Sequence, residues 1–327
     1  MNLLPKASGN RPRLACEIAP EGVIAARAAT AEASLESVAR IPLSAGAVMP
    51  GLKPGNLADR VAVIAAIRRA LESIDVRANS RGADLTIILP DAAVRVLLLD
   101  FDALPAKLTE ALPIVRFRLK KLVPFEVDDA MVSYQVMSSS KSNVRVLAVA
   151  MPRDILTEYE TAVREAGFEP GAVLPSTLAA LAGVAAPEPS LVVNAGTTGV
   201  TTAITRDGVL LLHRSIDLQP AAVGVDPTYP VQLQQLSVDE LTHEIAQAVS
   251  VAVAYFEDTL SAPPSTILAA GALSAENLRH VLNGNGYSEA EAVRVRELID
   301  ASAFSAGAVT GSIPRGSLAG VAGALRG

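Results

Sequence analysis

Side chains able to do acid–base, nucleophilic or metal chemistry are few in this 327-residue chain, and they are scattered. His213, His243 and His280 have no neighbours at metal-ligand spacing, which leaves them as ordinary core or surface histidines. Asp100 with Asp102, and Asp128 with Asp129, make carboxylate pairs, but each sits at the end of a predicted strand or helix, where turn duty accounts for it. The Gly284-Asn285-Gly286 turn is too short to be a dinucleotide fingerprint. No P-loop, HExxH or GxSxG occurs. Hydrolase and dehydrogenase chemistry therefore have no motif behind them. Arg116, Arg118, Lys120 and Lys121 read as a solvated helix face.

The elements that must carry any site are clearer. RLACEIA and VIAARAAT flank APEG as two strands and a tight turn, and SLESVARIPL adds a third strand. NLADRVAVIAAIRRALESI puts Leu57, Val61, Ile64, Leu71 and Ile74 on one helix face, with Asn56 as N-cap. ADLTIILP, AVRVLLLDF, VSYQV and VRVLAVA read as strands. A helix is predicted between Lys107 and Leu122, kinked or started by Pro113. PRDILTEYETAVREAG has Ile155, Tyr159 and Val163 on one face and Gly167 at its C-terminal cap. The pattern then repeats. LVVNAGTTGVTTAI is strand, turn, strand; DGVLLLHRSI is a strand; SVDELTHEIAQAVSVAVAYFEDTL is a long helix opened by a capping box from Ser237 to Glu240, with Leu241, Ile245, Val249, Ala252 and Phe256 as its seam. STILAAGAL, AENLRHVL and GSLAGVAGALRG close the chain as strand, helix and short helix.

Composition agrees with a layered α/β protein of two lobes. Half the residues are apolar but only 3% are aromatic, so the core must be built of Ala, Val, Leu and Ile. A net charge of −6 without a basic stripe argues against nucleic acid as a partner. The single cysteine, Cys16, excludes an intrachain disulfide and fits a reducing compartment. Neither a signal peptide nor a spanning helix is legible, and a soluble cytoplasmic protein is expected.

Several segments in order, ADLTIILPDAAVRVLLLDF, RFRLKKLVPFEVDDAMVSYQV, EYETAVREAGFEPGAVLPSTLAAL, LVVNAGTTGVTTAITRDGVLLLHRSI, STILAAGAL and GVAGAL, resemble the PilM family. Its members are actin-like cytoplasmic proteins of type IV pilus assembly, related in fold to FtsA. The cytoplasmic domain of GspL, from type II secretion, is similar. The resemblance runs from about Arg13 to Arg326. It implies an actin-like ATPase fold with two lobes around a cleft. A tail at 1–12 would be followed by a first lobe at 13–187, with an inserted subdomain at 83–151. The second lobe would span 188–327, with a reduced outer subdomain at 219–236 and a C-terminal helix at 315–327.

In such folds two hairpins hold nucleotide phosphates through backbone N–H groups, an aspartate in each holds the metal, and a Gly-Gly turn lies near adenosine. The resemblance maps that site onto Glu17, Ala19 and Pro20, onto Asn194, Gly196, Thr197 and Thr198, and onto Gly271 and Ala272. Every part is eroded. Glu17 stands for aspartate, Ala19 for glycine, and Pro20 removes a donor N–H. Glu21 adds a charge that would repel a phosphate by roughly 1–4 kcal/mol at close range. Ile24 replaces a common lysine, Asn194 stands for the second aspartate, and Gly271-Ala272 is one glycine short. A degenerate site follows, with no catalytic residue and no metal. ATP and Mg are not favoured as cofactors. The alternative is a working ATPase in which Glu17 and Asn194 share a metal.

The N-terminus, MNLLPKAS, carries Asn2-Leu3-Leu4-Pro5. In the pilus system the membrane protein PilN begins with an Asn-Leu-Leu-Pro peptide that PilM receives in a groove. The resemblance implies groove residues Pro124, Phe125, Tyr134 and Gln135, whose plainer role is packing of the insert. The chain's own tail would occupy that groove, link neighbouring copies head to tail, or do neither. The expected function is a non-catalytic adaptor at the cytoplasmic side of the inner membrane, bound to a PilN-like peptide and to platform and motor proteins. A GspL-like scaffold is the other alternative.

Overall fold

Between Leu14 and Ala28 the chain is almost wholly apolar and small, and it forms strands buried on both faces rather than an alternating surface hairpin. The computed structural model describes residues 12–28, 34–76, 84–140, 142–184, 188–218, 238–285, 293–305 and 313–326. The Asn2–Pro5 motif, the Ser237 end of the capping box and the segment 219–236 lie outside the described residues.

The first lobe opens with an antiparallel meander, β1 (Leu14–Ala19), β2 (Gly22–Ala28) and β3 (Leu35–Pro42). Helix α1 (Arg60–Glu72) leads to β4 (Asp84–Leu89), which pairs parallel with β1. An insert follows, made of β5 (Arg95–Phe101), α2 (Leu108–Leu119), β6 (Ala130–Ser139) and β7 (Val144–Pro152). The lobe is completed by α3 (Arg153–Glu165), β8 (Glu169–Pro175) and α4 (Ser176–Leu181). Its sheet order is β3-β2-β1-β4-β8.

The second lobe repeats the plan with β9 (Ser190–Ala195), β10 (Gly199–Arg206), β11 (Val209–Asp217), α5 (Val238–Leu260), β12 (Thr266–Gly271), α6 (Ala275–Gly284) and β13 (Arg294–Glu297). Its sheet order, β11-β10-β9-β12-β13, is that of the first lobe strand for strand. In both, a meander is followed by two parallel strands. The chain ends with α7 (Ala319–Ala324), which returns to the first lobe, where Leu318, Val321 and Leu325 join the core around Ala15 and Cys16. Gly323 lets α7 reach α4, since a Cβ there would lie 1.9 Å from the Ala179 carbonyl oxygen.

Two helix expectations need correction. α1 buries Val63, Ala66, Ile67, Ala70 and Leu71, while Val61 is 79% exposed. In an alanine-rich helix the apolar stripe is broad, so the large side chains do not identify the buried face. Asp59, not Asn56, caps it, accepting from Ala62 N. Asn56 is instead buried in the preceding loop, bonded to Gly51 and Lys53. α2 continues on both sides of the exposed Pro113, so of the two expectations, a kink or a start, the start is excluded. Arg116 is also not a solvated charge, because its guanidinium donates to the carbonyls of Val127 and Ala130 and closes the loop after α2. The other helices keep the expected faces, with Ile155, Tyr159 and Val163 buried on α3 and Gly167 at positive φ just beyond it.

Candidate functional site

Both meander turns and the carboxyl ends of the parallel strands point into one cleft between the lobes, where open α/β sheets place their ligands. The cleft is open to solvent and offers about 90 Å³ to water-sized molecules. Glu17, Ala19, Pro20, Asn194, Gly196 and Thr198 line it, and Gly271 and Ala272 form one wall. Of the expected cleft residues, Thr197 stands at the rim and makes its contacts through hydrogen bonds.

The floor is a forked hydrogen-bond network that joins the lobes. Asn194 Nδ2, at the end of β9, donates to Ser176 Oγ at 3.2 Å and to Thr177 Oγ1 at 2.9 Å. Each hydroxyl passes its own proton to an acid. Ser176 Oγ donates to Glu17 Oε1 at 2.7 Å, and Thr177 Oγ1 donates to Asp91 Oδ2. Asp91 also accepts from Thr177 N at 3.1 Å. Every proton in the fork runs from the amide towards a carboxylate, so the direction requires an amide donor at 194.

Glu17 is held in an unusual state. Burial pushes its carboxyl up to about 7, the Ser176 hydrogen bond opposes that, and the Asp91 and Glu21 charges add to it. Its Oε2 has no hydrogen-bond partner among the described residues and lies against Gly320, where a Cβ would fall 2.5 Å away. Burial also lowers the pKa of His213, on β11, with the nearby Asp91 charge opposing the shift.

At the rim, the two turns touch. Glu21 Oε1, on the β1–β2 turn, accepts from Thr197 N at 2.6 Å and from Thr197 Oγ1 at 2.8 Å. A Cβ on Gly196 would lie 3.0 Å from the same oxygen. Arg40 Nη2 donates to the Glu21 carbonyl at 3.3 Å and steadies the turn. Gly271 has φ +84°, and a Cβ there would sit 2.5 Å from both Ala195 O and Asn194 Oδ1. Its glycine is required by close packing against β9.

A magnesium nucleotide, which this fold implies, does not fit these residues. The first turn offers Pro20 where a donor is needed and Glu21 where phosphate would lie. The Thr197 amide is engaged by Glu21, and the Asn194 amide by Ser176 and Thr177. Among the described residues no group of His, Cys, Asp and Glu side chains is arranged to hold a metal.

The four groove candidates lie elsewhere, on the insert. Phe125 and Tyr134 pack against its core of Leu99, Val115, Leu119 and Val127. Pro124 is exposed beside them. Gln135 follows Tyr134 in β6 and so points to the opposite sheet face. Of the carboxylate pairs, Asp100 lies within β5 and pairs with Arg145 on β7 rather than serving a turn, and Asp128 pairs with Lys120.

Asp91, Ser176 and Thr177 were not foreseen as site residues. The signal was present in ILPDAA and VLPSTL, where a strand ends in proline and the next residues turn into the cleft. Pro90 and Pro175 stop their strands at the end where ligands bind.

No family model and no curated protein matches the chain. Solved structures do. A chain of the PilM-PilN type IV pilus biogenesis complex is 16% identical, with a TM-score of 0.69, the match covering 97% of this chain and 98% of that one. The ethanolamine utilization protein EutJ from Carboxydothermus hydrogenoformans is 10% identical, with a TM-score of 0.47 over 96% and 89% of the two chains. The cytoplasmic domain of EpsL, an inner-membrane component of the type II secretion system of Vibrio cholerae, is 13% identical, with a TM-score of 0.40 over 63% and 71%. The fold is thus actin-like, two lobes around a cleft, as the sequence resemblance implied; the insert, expected at 83–151, starts only at β5, because β4 pairs with β1 in the main sheet of the first lobe. No helix among the described residues is long and apolar enough to cross a membrane.

Proposed function

We propose that this chain is a non-catalytic, actin-like adaptor of type IV pilus assembly, working at the cytoplasmic face of the inner membrane and receiving the N-terminal peptide of a PilN-like membrane protein. The observation that carries the proposal is the likeness along nearly the whole chain to a chain of the PilM-PilN complex, insert included. The poor fit of the cleft to a magnesium nucleotide supports the non-catalytic part. Through the peptide the chain would join the platform that connects the pilus to its motor. The exposed Pro124, next in sequence to Phe125, which packs with Tyr134 on the core of the insert, makes this side of the insert the first surface to test for the peptide.

An extended Asn-Leu-Leu-Pro peptide suits such a groove, because leucines anchor it and proline limits the entropy lost on docking. The chain's own Asn2–Pro5 makes a convenient probe. Titrating the peptide MNLLPKAS into the chain lacking residues 1–10 removes none of the described elements. Saturable heat, weakened about tenfold or more when Leu3 and Leu4 are alanine, is expected. A flat titration overturns the peptide-receptor reading. Millimolar Mg-ATP should leave the melting temperature unmoved, whereas a ligand at 100 times its Kd would add about 2.7 kcal/mol of stability. A clear upward shift would return the working ATPase.

A further inference from the structure

We infer that the turn formed by Gly196 and Thr197 is an anion site that the chain fills with its own Glu21 carboxylate, clasping the two lobes together and keeping phosphoryl groups out. The donors are those a phosphate oxygen would use: a backbone N–H and a hydroxyl from one residue converging on a single oxygen, beside a glycine that leaves room for close approach. Here that oxygen is Glu21 Oε1, delivered from the opposite lobe by a residue 176 positions away in sequence.

Three further features hold the carboxylate in place. Pro20 fixes φ just before it, Arg40 bonds its carbonyl, and the Asn194 fork ties the same two lobes at the floor of the cleft. A tethered ligand acts at an effective concentration of about millimolar or higher, so a free phosphoryl group competes from a poor position. It would also meet the carboxylates of Glu17 and Asp91 behind Glu21. Phosphoryl compounds are therefore the ligand class that the site is built to hold and that Glu21 excludes. The inference concerns the cleft alone and does not depend on which peptide the insert receives.

The test uses the full chain and inorganic triphosphate, which has no base to bind elsewhere in the cleft. In the wild type, triphosphate at millimolar concentration should give no saturable heat, and the Thr197 amide should be protected from hydrogen exchange. Glu21→Ala should speed exchange at Thr197 about tenfold or more and create saturable triphosphate binding. Glu21→Gln, which keeps an acceptor without the charge, should fall between, and it serves if the alanine variant does not fold. Adding Thr197→Val to Glu21→Ala should weaken the new binding by removing the hydroxyl. Unchanged exchange at Thr197 would overturn the clasp. Triphosphate binding that is equal in wild type and variants, or absent from all, would overturn the anion site. Neither result would bear on the peptide titration, so the two proposals fail separately.

Discussion

Asn194 Nδ2 lies 2.9 Å from Thr177 Oγ1 and donates to it across the gap between the lobes. Thr177 has only one hydroxyl proton, and it is given to Asp91. The pairing therefore accepts an amide at 194 and rejects a carboxylate, which inverts the usual demand of this fold for a metal-holding acid there.

Asn194→Asp tests that inversion. It loses two donated hydrogen bonds and places a carboxylate in a network that already ends on Glu17 and Asp91. A loss of about 1–3 kcal/mol is expected at neutral pH by urea denaturation. Millimolar Mg²⁺ should not restore it. Rescue by Mg²⁺ would mean that the cleft can hold a metal after all.

Glu17 should leave a pH signature. Its folded-state carboxyl titrates at about 7 against an ordinary value of 4.5, so the folded state holds this proton more tightly than the unfolded chain. Its stabilising contribution is complete below about pH 4.5 and is lost as pH rises to about 7. Glu17→Gln keeps an acceptor for Ser176 without the charge. The stability of this variant relative to wild type should rise by about 3 kcal/mol between those limits and then level off. A difference that is flat with pH would show that Glu17 ionises normally.

The two terminal helical segments predict opposite responses to one methyl group. Gly323→Ala would drive a Cβ to within 1.9 Å of the Ala179 carbonyl oxygen and must push α7 off α4, at a cost of about 3 kcal/mol. Gly284 closes α6 with no atom of the described residues within 4 Å of a Cβ. Gly284→Ala should change stability by less than about 1 kcal/mol, on the stabilising side. Equal effects in denaturant titrations would contradict the packing of α7 into the first lobe.

Cys16 offers a probe of global opening. It lies fully buried in β1, where burial and the Glu17 charge push its thiol up to about 12. As the chain's one thiol it should react with a disulfide reagent at neutral pH about a thousandfold more slowly than in unfolding concentrations of urea. Rapid labelling of the native protein would mean that the sheet opens locally around its central strand, β1.

Much of the fold was legible in the sequence, because strand and helix periodicities are set by backbone geometry within a few residues. The repeated strand–turn–strand, strand, helix plan, the seams of α3 and α5, and the Ala- and Val-rich core could all be read from runs of ten to twenty residues or so. The eroded turns could be read too, since a proline without an N–H and a glutamate with a charge keep those properties wherever they sit. Proximity could not be read. The buried face of α1 was decided by the sheet it lies on, not by its own largest side chains. The fork from Asn194 to Asp91, and the grip of Thr197 on Glu21, join residues about 100 and 176 positions apart. Such contacts have no local signature, because the partners are brought together only when two separately folded sheets dock. The sequence by itself determined two similar lobes and the residue types of their turns; the tertiary structure alone decided that Glu21 of one turn meets Thr197 of the other.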